Sequence, residues 1–238
     1  MGFLDSILNR FRKPKPIPEL PKVTAFPPKP VNPIGWRFLE DSGTRKILRN
    51  PWNSQRDNKF CPGSSCNVTS MQVALSLDTK VTDDELFLLC NSSTMRNNFF
   101  KKYPGEAWVK PHFDKGKANE VFLVLQEAAR CILESDKYCK MIGNLSRELI
   151  ISEIDKGYPV IVCGAFIRGK STLEHFTTIV GYDLEKKVWI VNDSWGNWNT
   201  GYKDRNGERV PYSMDKMRIG SVLSRLAILV HADRRVPV

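Results

Sequence analysis

The chain has 238 residues, of which 41% are hydrophobic and 10% aromatic, as expected for one large or two small packed domains. No apolar run approaches the roughly 18 residues that a membrane-spanning helix needs. A net charge of +10 predicts attraction to an anionic partner, but no zinc-finger, helix-turn-helix or aromatic RNA-binding pattern accompanies it. We therefore interpret the basic residues as a solvated surface and expect no specific nucleic acid partner.

The first 33 residues differ in composition from the rest of the chain. Residues 1–13 place five apolar side chains on one helical face, which is typical of a segment that contacts a membrane surface, a partner or the domain itself. Those side chains are Phe3, Leu4, Ile7, Leu8 and Phe11. Eight prolines between residues 14 and 33 then favour an extended arm. We expect the folded domain to span residues 34–238.

The six cysteines have neither the spacing of a zinc site nor a secretory signal before them. We therefore expect reduced thiols, no metal, no organic cofactor and a protein that is cytoplasmic at synthesis. Cys90, Cys131 and Cys163 lie inside apolar patterns. They are predicted to act as small buried hydrophobic residues.

The N-terminal half of the domain has helical periodicity. One predicted helix begins at Cys66 and has apolar residues at spacings of three and four, and a Thr-x-x-Glu capping box at Thr82 begins another. A third carries an apolar stripe from Val121 to Ile132. A fourth is predicted to run from the N-cap Ser146 to a stop at Gly157.

The C-terminal half changes to runs of β-branched residues separated by turn-forming residues. Four strands are predicted, at residues 158–167, 175–183, 187–193 and 225–233. The second and third are joined by a short hairpin connection. Helices followed by antiparallel strands predict an α+β fold with a cleft where the two halves meet.

Cys66 is the cysteine best placed for chemistry. A helix N-terminus carries a partial positive charge that stabilises a thiolate, whereas Cys61 lies in the preceding Pro-Gly loop, where nothing obvious would activate it. A single cysteine at a helix start is more often structural than reactive. Cys66 is therefore a candidate nucleophile only if a base and an orienting group lie nearby.

The chain offers only three histidines as that base. His112 lies in a polar loop and His231 near the end of the last strand, whereas His175 opens a strand that could face the helical half. Asp193 ends the next strand, where it could accept the Nδ1 proton of His175 and fix the orientation of the ring. The structural alternatives are a partly buried ring for His175 and a turn-forming role for Asp193.

An oxyanion would need hydrogen-bond donors beside the nucleophile. The Gln55 amide, together with the Cys66 backbone N–H, could supply them, although the sequence leaves Asn58 and Gln126 as alternative amides. Trp195 could shield a His–Asp pair from water, or it could simply pack under its turn.

The order Gln, Cys on a helix, His on a strand and Asp on the next strand resembles papain-like cysteine peptidases, and most closely the C39-like peptidase family. In this family the nucleophile segment is typically Cys-Gly-Pro-Thr-Ser, and here Asn67 and Val68 stand in place of Gly-Pro. The segment "SQRDN" (54–58) is also reminiscent of C39-like proteins encoded by bacteriophages. The similar segments are "SQRDN" (54–58), "CNVTSM" (66–71), "GYPVIV" (157–162), "HFTTIVGYD" (175–183) and "NDSWGN" (192–197).

The resemblance implies a papain-like α+β fold and a cysteine peptidase that cleaves an amide bond through a thioester. It implies that Cys66 is the nucleophile, that His175 transfers the proton, that Asp193 orients His175 and that Gln55 helps to bind the oxyanion. The substrate would be a protein or peptide, and a phage origin would place the enzyme in the cytoplasm of an infected bacterium.

Three alternatives stay open. The substrate could be a peptidoglycan cross-bridge, which the positive charge of the chain would favour. The domain could be a non-catalytic binding module that retains the cleft. The protein could also be a structural or membrane-recruited component that acts through residues 1–33.

Overall fold

The computed structural model describes residues 34–134, 138–143, 145–164, 175–217 and 223–231. The predicted amphipathic segment and proline-rich arm, residues 1–33, lie outside this range. The helices α1 to α6 are Cys66–Leu75, Asp83–Cys90, Ser93–Lys102, Lys110–Asp114, Phe122–Leu133 and Arg147–Asp155. The strands β1 to β8 are Phe38–Asp41, Arg45–Leu48, Cys139–Ile142, Val160–Gly164, His175–Asp183, Val188–Asn192, Val210–Ser213 and Leu223–Val230.

The four predicted helices are present, and local side-chain chemistry sets their ends. Thr82 and Glu85 form a reciprocal capping box at the start of α2. The Ser146 hydroxyl accepts the Leu149 N–H at the start of α6. That helix ends two residues before Gly157, which has a φ of 85° that suits glycine.

Several elements were not predicted from the sequence. Strands β1, β2, β3 and β7 have four residues each and helix α4 has five, which is too few to establish a period. Helix α3 has ten residues, but only Met95 and Phe99 of them are buried, and these two give a single helical spacing. The sheet therefore begins before the helices rather than after them, because β1 and β2 precede α1.

Strand β5 organises the antiparallel sheet. Its first half pairs with β4, its second half pairs with β2, and most of its length pairs with β6. The remaining strands extend these pairings, and β6 pairs in turn with β7. Because β5 and β6 are antiparallel, the start of β5 at His175 and the end of β6 at Asn192 lie at the same end of the sheet, next to the helical half.

Helix α1 packs directly on β5. Val68, Met71 and Leu75 are fully or almost fully buried against the helical side of the core, as their spacing predicted. The Thr178 hydroxyl of β5 donates to the Ser70 carbonyl of α1 at 3.1 Å. This contact lies one helical turn after Cys66 and three residues after His175, so it fixes the two elements relative to each other close to both residues.

The predicted α+β fold, with a helical half packed against an antiparallel sheet, is confirmed. All six cysteines are free thiols, and Cys90 and Cys163 are buried as predicted. The prediction for Cys131 is wrong, because this residue lies beside the buried stripe of α5 and its side chain is exposed. Within the described residues, no helix is long and apolar enough to cross a membrane.

Candidate active site

Cys66 is the first residue of α1, and its side chain is partly exposed. The first N–H groups of a helix have no partner within the helix, so they can donate to a bound group beside the sulfur. The preceding residue, Ser65, does not cap the helix with its side chain. Its hydroxyl instead donates to the Gln55 carbonyl at 3.2 Å and ties the helix start to the upstream loop.

His175, the first residue of β5, connects the thiol to a carboxylate. The residue is 6% exposed, its Nε2 lies 2.7 Å from Asp193 Oδ1, and its side chain also hydrogen-bonds to that of Cys66. Burial alone would lower the pKa of His175. The charge and hydrogen bond of Asp193, with a further contribution from Cys66, outweigh burial and raise this pKa to about 10. At neutral pH the imidazole is therefore held in its protonated form.

The prediction that Asp193 accepts the Nδ1 proton is wrong, because Nε2 makes this contact. The strand register explains the difference. Thr178 pairs with Asn192, so Asp193 follows opposite residue 177, and His175 lies two residues farther along the same face. The ring therefore reaches back along the strand with its distal nitrogen, Nε2, to meet the carboxylate.

The Asp193 carboxylate is completely buried and surrounded by donors. Besides His175, the Trp195 N–H donates to Oδ1 at 2.9 Å, the Tyr212 hydroxyl to Oδ2 at 2.8 Å and the Tyr202 hydroxyl to Oδ2 at 3.4 Å. Burial, together with the Asp193 charge, raises the pKa of both tyrosines, so both remain protonated donors. These contacts fix the carboxylate in one orientation.

Tyr202 also covers the imidazole, since its ring meets that of His175 edge to face at a centroid distance of 6.1 Å. This is the shielding position that the sequence led us to consider for Trp195. The Trp195 ring is partly exposed and carries the Arg56 guanidinium on its face.

Gln55 begins a 3₁₀ turn, and its side chain is buried. Its Oε1 accepts the Ser194 hydroxyl at 2.8 Å, and its Nε2 donates to the Pro62 carbonyl at 3.2 Å. The amide therefore lies between the loop before Cys66 and the loop after Asp193. A second N–H on Nε2 is available in principle for a bound oxygen.

The two alternative amides are occupied by structural contacts. Asn58 Oδ1 accepts the backbone N–H of Phe60 and Cys61 and so shapes the loop before the helix. Gln126 lies on α5, where its Oε1 accepts the Met141 N–H of β3 at 2.6 Å. Among the three amides, Gln55 is the one whose backbone carbonyl is bonded to the residue preceding Cys66.

The loop that carries Gln55 is clamped to the strand end that carries Asp193. Trp52 Nε1 donates to the Asp193 carbonyl at 2.7 Å, and the Gln55 N–H donates to the Ser194 carbonyl at 3.1 Å. From the other side, the Asp193 N–H donates to the Gly207 carbonyl at 2.9 Å. A Cβ on Gly207 would lie 1.9 Å from the Asp193 oxygen, so no side chain fits there.

Asn67, which stands where the family typically has glycine, is buried and bonded on both sides. Its Oδ1 accepts the Val68 N–H at 2.7 Å, and its Nδ2 donates to the Asn119 carbonyl. In turn, Asn119 Nδ2 donates a hydrogen bond to Asn67 Oδ1 at 3.3 Å. This pair ties the start of α1 to the 3₁₀ turn Ala118–Glu120.

The other two histidines, and the buried Cys90 and Cys139, lie in surroundings unlike those of His175 and Cys66. His231 is buried against Glu153 and stacked on Tyr158, while His112 lies on α4. Burial raises the pKa of the Cys90 thiol, and it raises that of the Cys139 thiol to about 12. Neither buried thiol is a nucleophile at neutral pH.

Sequence reasoning missed Tyr202, Tyr212 and Trp52. The tyrosines lie 9 and 19 residues after Asp193, on a loop and on β7, and Trp52 lies 141 residues before it. No short motif contains them. The contact of Tyr212 with Asp193 could have been predicted only from the pairing of β6 with β7, which places Tyr212 opposite Trp189.

Comparison with known proteins gives one family. The sequence profile described as the Peptidase_C39 like family matches residues 47–214, a range that contains Gln55, Cys66, His175 and Asp193. No curated protein matches at a significant level. A solved structure of a candidate C39-like peptidase from Bacillus anthracis is similar, with a TM-score of 0.45 and 15% identity over 79% of this chain and 97% of that chain. Because the profile covers well over half of its residues, the chain belongs to the Peptidase_C39 like family.

Proposed function

We propose that this protein is a cysteine peptidase that hydrolyses a peptide bond through a thioester on Cys66. The observation that carries the proposal is the buried His175 ring, bonded to the Cys66 side chain on one side and to the Asp193 carboxylate on the other. Family membership supports the same activity.

In the acylation step the Cys66 thiolate attacks the carbonyl carbon of the substrate. The C=O electron pair moves to the oxygen, which the Cys66 N–H and the Gln55 amide stabilise by hydrogen bonds. As the tetrahedral species collapses, the C–N bond breaks and the His175 Nδ1 proton passes to the leaving nitrogen. The products of this step are a free amine and a thioester.

In the deacylation step His175 is neutral and acts as a base. A water molecule attacks the thioester carbonyl while giving a proton to Nδ1. The second tetrahedral species expels the Cys66 thiolate, which restores the ion pair and releases a carboxylic acid. Asp193 keeps the ring in position through both steps and stabilises its charged form.

The electrostatics favour an enzyme over a non-catalytic binding module. Burying an ionised histidine and a carboxylate costs free energy, and well-packed apolar residues of similar size often stabilise a fold equally well. The four donors around Asp193 maintain the charged arrangement beside a partly exposed thiol. A cleft that only binds a partner gains nothing from such a pair.

The proposal can be tested with unfolded casein as the substrate. Peptides released by the wild type, by Cys66→Ala and by Cys61→Ala are quantified by mass spectrometry, and thermal unfolding verifies that each variant folds. Cys61 is the matched control, because it is a partly buried thiol in the loop just before α1. We expect the wild type and Cys61→Ala to release peptides and Cys66→Ala to release none. Hydrolysis by Cys66→Ala at the wild-type rate would refute the proposal.

A further inference from the structure

A cationic side chain lies beside the candidate oxyanion residue. The Arg56 guanidinium carbon lies 3.7 Å from the centroid of the Trp195 ring, and Nη2 donates to the Trp195 carbonyl at 2.8 Å. Its Nε is buried and has no hydrogen-bond partner among the described residues. The stacked, bonded geometry holds the guanidinium in place next to Gln55.

A second arginine approaches the same position from another loop. The Arg205 backbone packs against Gly196, where an added Cβ would lie 3.0 Å from the Arg205 Cα. The Arg205 side chain is exposed, next to the turn that carries Trp195. Burial, followed by the charge of Arg205, lowers the pKa of Arg56, whereas Asp193 raises it. Two like charges are thus held near each other.

No carboxylate of the described chain forms an ion pair with either arginine, and the Asp193 charge that acts on Arg56 is already bonded to His175. Neither guanidinium forms an ion pair within that part of the protein, whereas Arg209 pairs with Glu208 a few residues away. The neighbouring acids Asp57 and Asp204 form no ion pair with either arginine in the described part of the chain, and the Asp204 carboxylate accepts the Asn206 N–H instead. A pair of uncompensated arginines is a site for an external anion.

The position of Arg56 and Arg205 relative to Cys66 and His175 determines which part of a bound substrate the two arginines would contact. His175 gives its proton to the leaving nitrogen, so the leaving portion of the substrate lies on the His175 side of Cys66. Beyond His175 on that side lie Asp193 and then Trp195, whose N–H bonds to Asp193 and whose ring carries Arg56. The residues that follow the scissile bond would therefore extend toward the two guanidinium groups.

We propose that Arg56 and Arg205 bind a carboxylate within the first two residues after the scissile bond. The enzyme then prefers peptides with Asp or Glu at these positions, or with a free carboxyl terminus there. This proposal rests on the proposed function, and it adds a substrate class to it. Arg56 makes the inner contact, and Arg205 supplies the outer, solvent-exposed charge.

The test uses blocked octapeptides that are randomised over uncharged residues, with one fixed position that is either Glu or Gln. A third set ends in a free carboxylate rather than an amide, which separates a side-chain carboxylate from a terminal one. Cleavage by the wild type, Arg205→Ala, Arg205→Glu and Lys203→Ala is followed by mass spectrometry. Lys203 is the matched control, because it is an exposed cation in the same loop.

We expect cleavage that leaves a carboxylate at the first or second residue after the scissile bond to be roughly tenfold faster than cleavage with the matched amide there, as for a charge-assisted hydrogen bond. Arg205→Ala should reduce this ratio and Arg205→Glu should abolish or invert it, while Lys203→Ala should keep it. Equal cleavage of the acidic and amide sets by the wild type, or an unchanged ratio in Arg205→Glu, would overturn the proposal.

A binding measurement separates this proposal from the proposed function. Immobilised Cys66→Ala protein is incubated with the same peptides, and the retained peptides are eluted and counted. If the wild type cleaves nothing, the proposed function fails. Selective retention of the carboxylate sets would then still support the arginine site, provided that adding Arg205→Glu removes it. Retention without any preference would overturn the site as well.

Discussion

Replacing Asp193 with asparagine would remove one charge from the candidate site and leave its geometry nearly intact. The asparagine oxygen can still accept the His175 Nε2–H and the Trp195 N–H, both of which contact Oδ1 in the native protein. The hydroxyls of Tyr202 and Tyr212, which donate to Oδ2, can rotate and accept from the new NH₂ group. The main effect of the substitution is therefore electrostatic.

The pKa of His175 sets the size of the effect. Burial lowers this pKa, yet Asp193 and Cys66 together raise it from 6.5 to about 10. Such a rise corresponds to about 5 kcal/mol of preferential stabilisation of the imidazolium. Without the carboxylate, burial is opposed only by Cys66, and the alkaline limb of activity should move to lower pH by roughly two units.

The same shift affects stability, with a defined sign. Because the folded-state pKa of His175 is raised, its contribution to the free energy of unfolding is fully present below pH 6.5 and is lost as the pH rises through about 10. The wild type should therefore lose stability across this window. Asp193→Asn should show much less of this loss.

The assay is the pH dependence of kcat/KM from pH 5 to 11, combined with denaturant unfolding at each pH. Asp183→Asn is the matched control, since Asp183 is a buried carboxylate at the opposite end of β5 and accepts the Lys186 N–H. Its alkaline limb should coincide with that of the wild type. If the alkaline limb of Asp193→Asn also stays at the wild-type position, the electrostatic reasoning is wrong.

Three further substitutions test the surroundings of the site. Gln55→Ala should lower kcat by about 10²–10³ with little change in KM if its amide binds the oxyanion, and steady-state kinetics that show an unchanged kcat would exclude this role. Tyr212→Phe removes a donor from the buried Asp193 carboxylate and should cost about 1.5–3 kcal/mol in the free energy of unfolding, measured with denaturant; no loss would contradict the contact. Gly207→Ala places a Cβ 1.9 Å from the Asp193 carbonyl, so activity and melting temperature should fall together, and a fully active variant would contradict this packing.

Local chemistry explains which parts of the fold the sequence could predict. The caps at Thr82 and Ser146 and the buried spacing after Cys66 involve neighbours in the chain, and they have the predicted form. Four-residue strands such as β1 and β7 are fixed by their partners rather than by their own pattern, so they were missed. Cys131 was misassigned for a related reason, because one position along α5 separates a buried side chain from an exposed one.

In the candidate site, too, the features set by neighbouring residues in the chain could be predicted, whereas the contacts set by distant segments could not. Cys66, His175 and Asp193 could be grouped in advance, because a helix start, a strand start and a strand end are each visible in the sequence. The ring nitrogen that meets Asp193 depends on the register of β5 and β6. The tyrosines around Asp193 depend on a loop and on β7, so neither could be read from a motif.

Identifying the reactive residue is the most direct test of the central claim that Cys66 is a nucleophile activated by His175. The native protein is treated with a peptidyl vinyl sulfone, and the modified peptide is mapped by mass spectrometry among all six free thiols. We predict a single adduct at Cys66 that forms with saturation kinetics and is lost in His175→Ala. Equal labelling in His175→Ala, or an adduct at Cys61 in its place, would contradict the account.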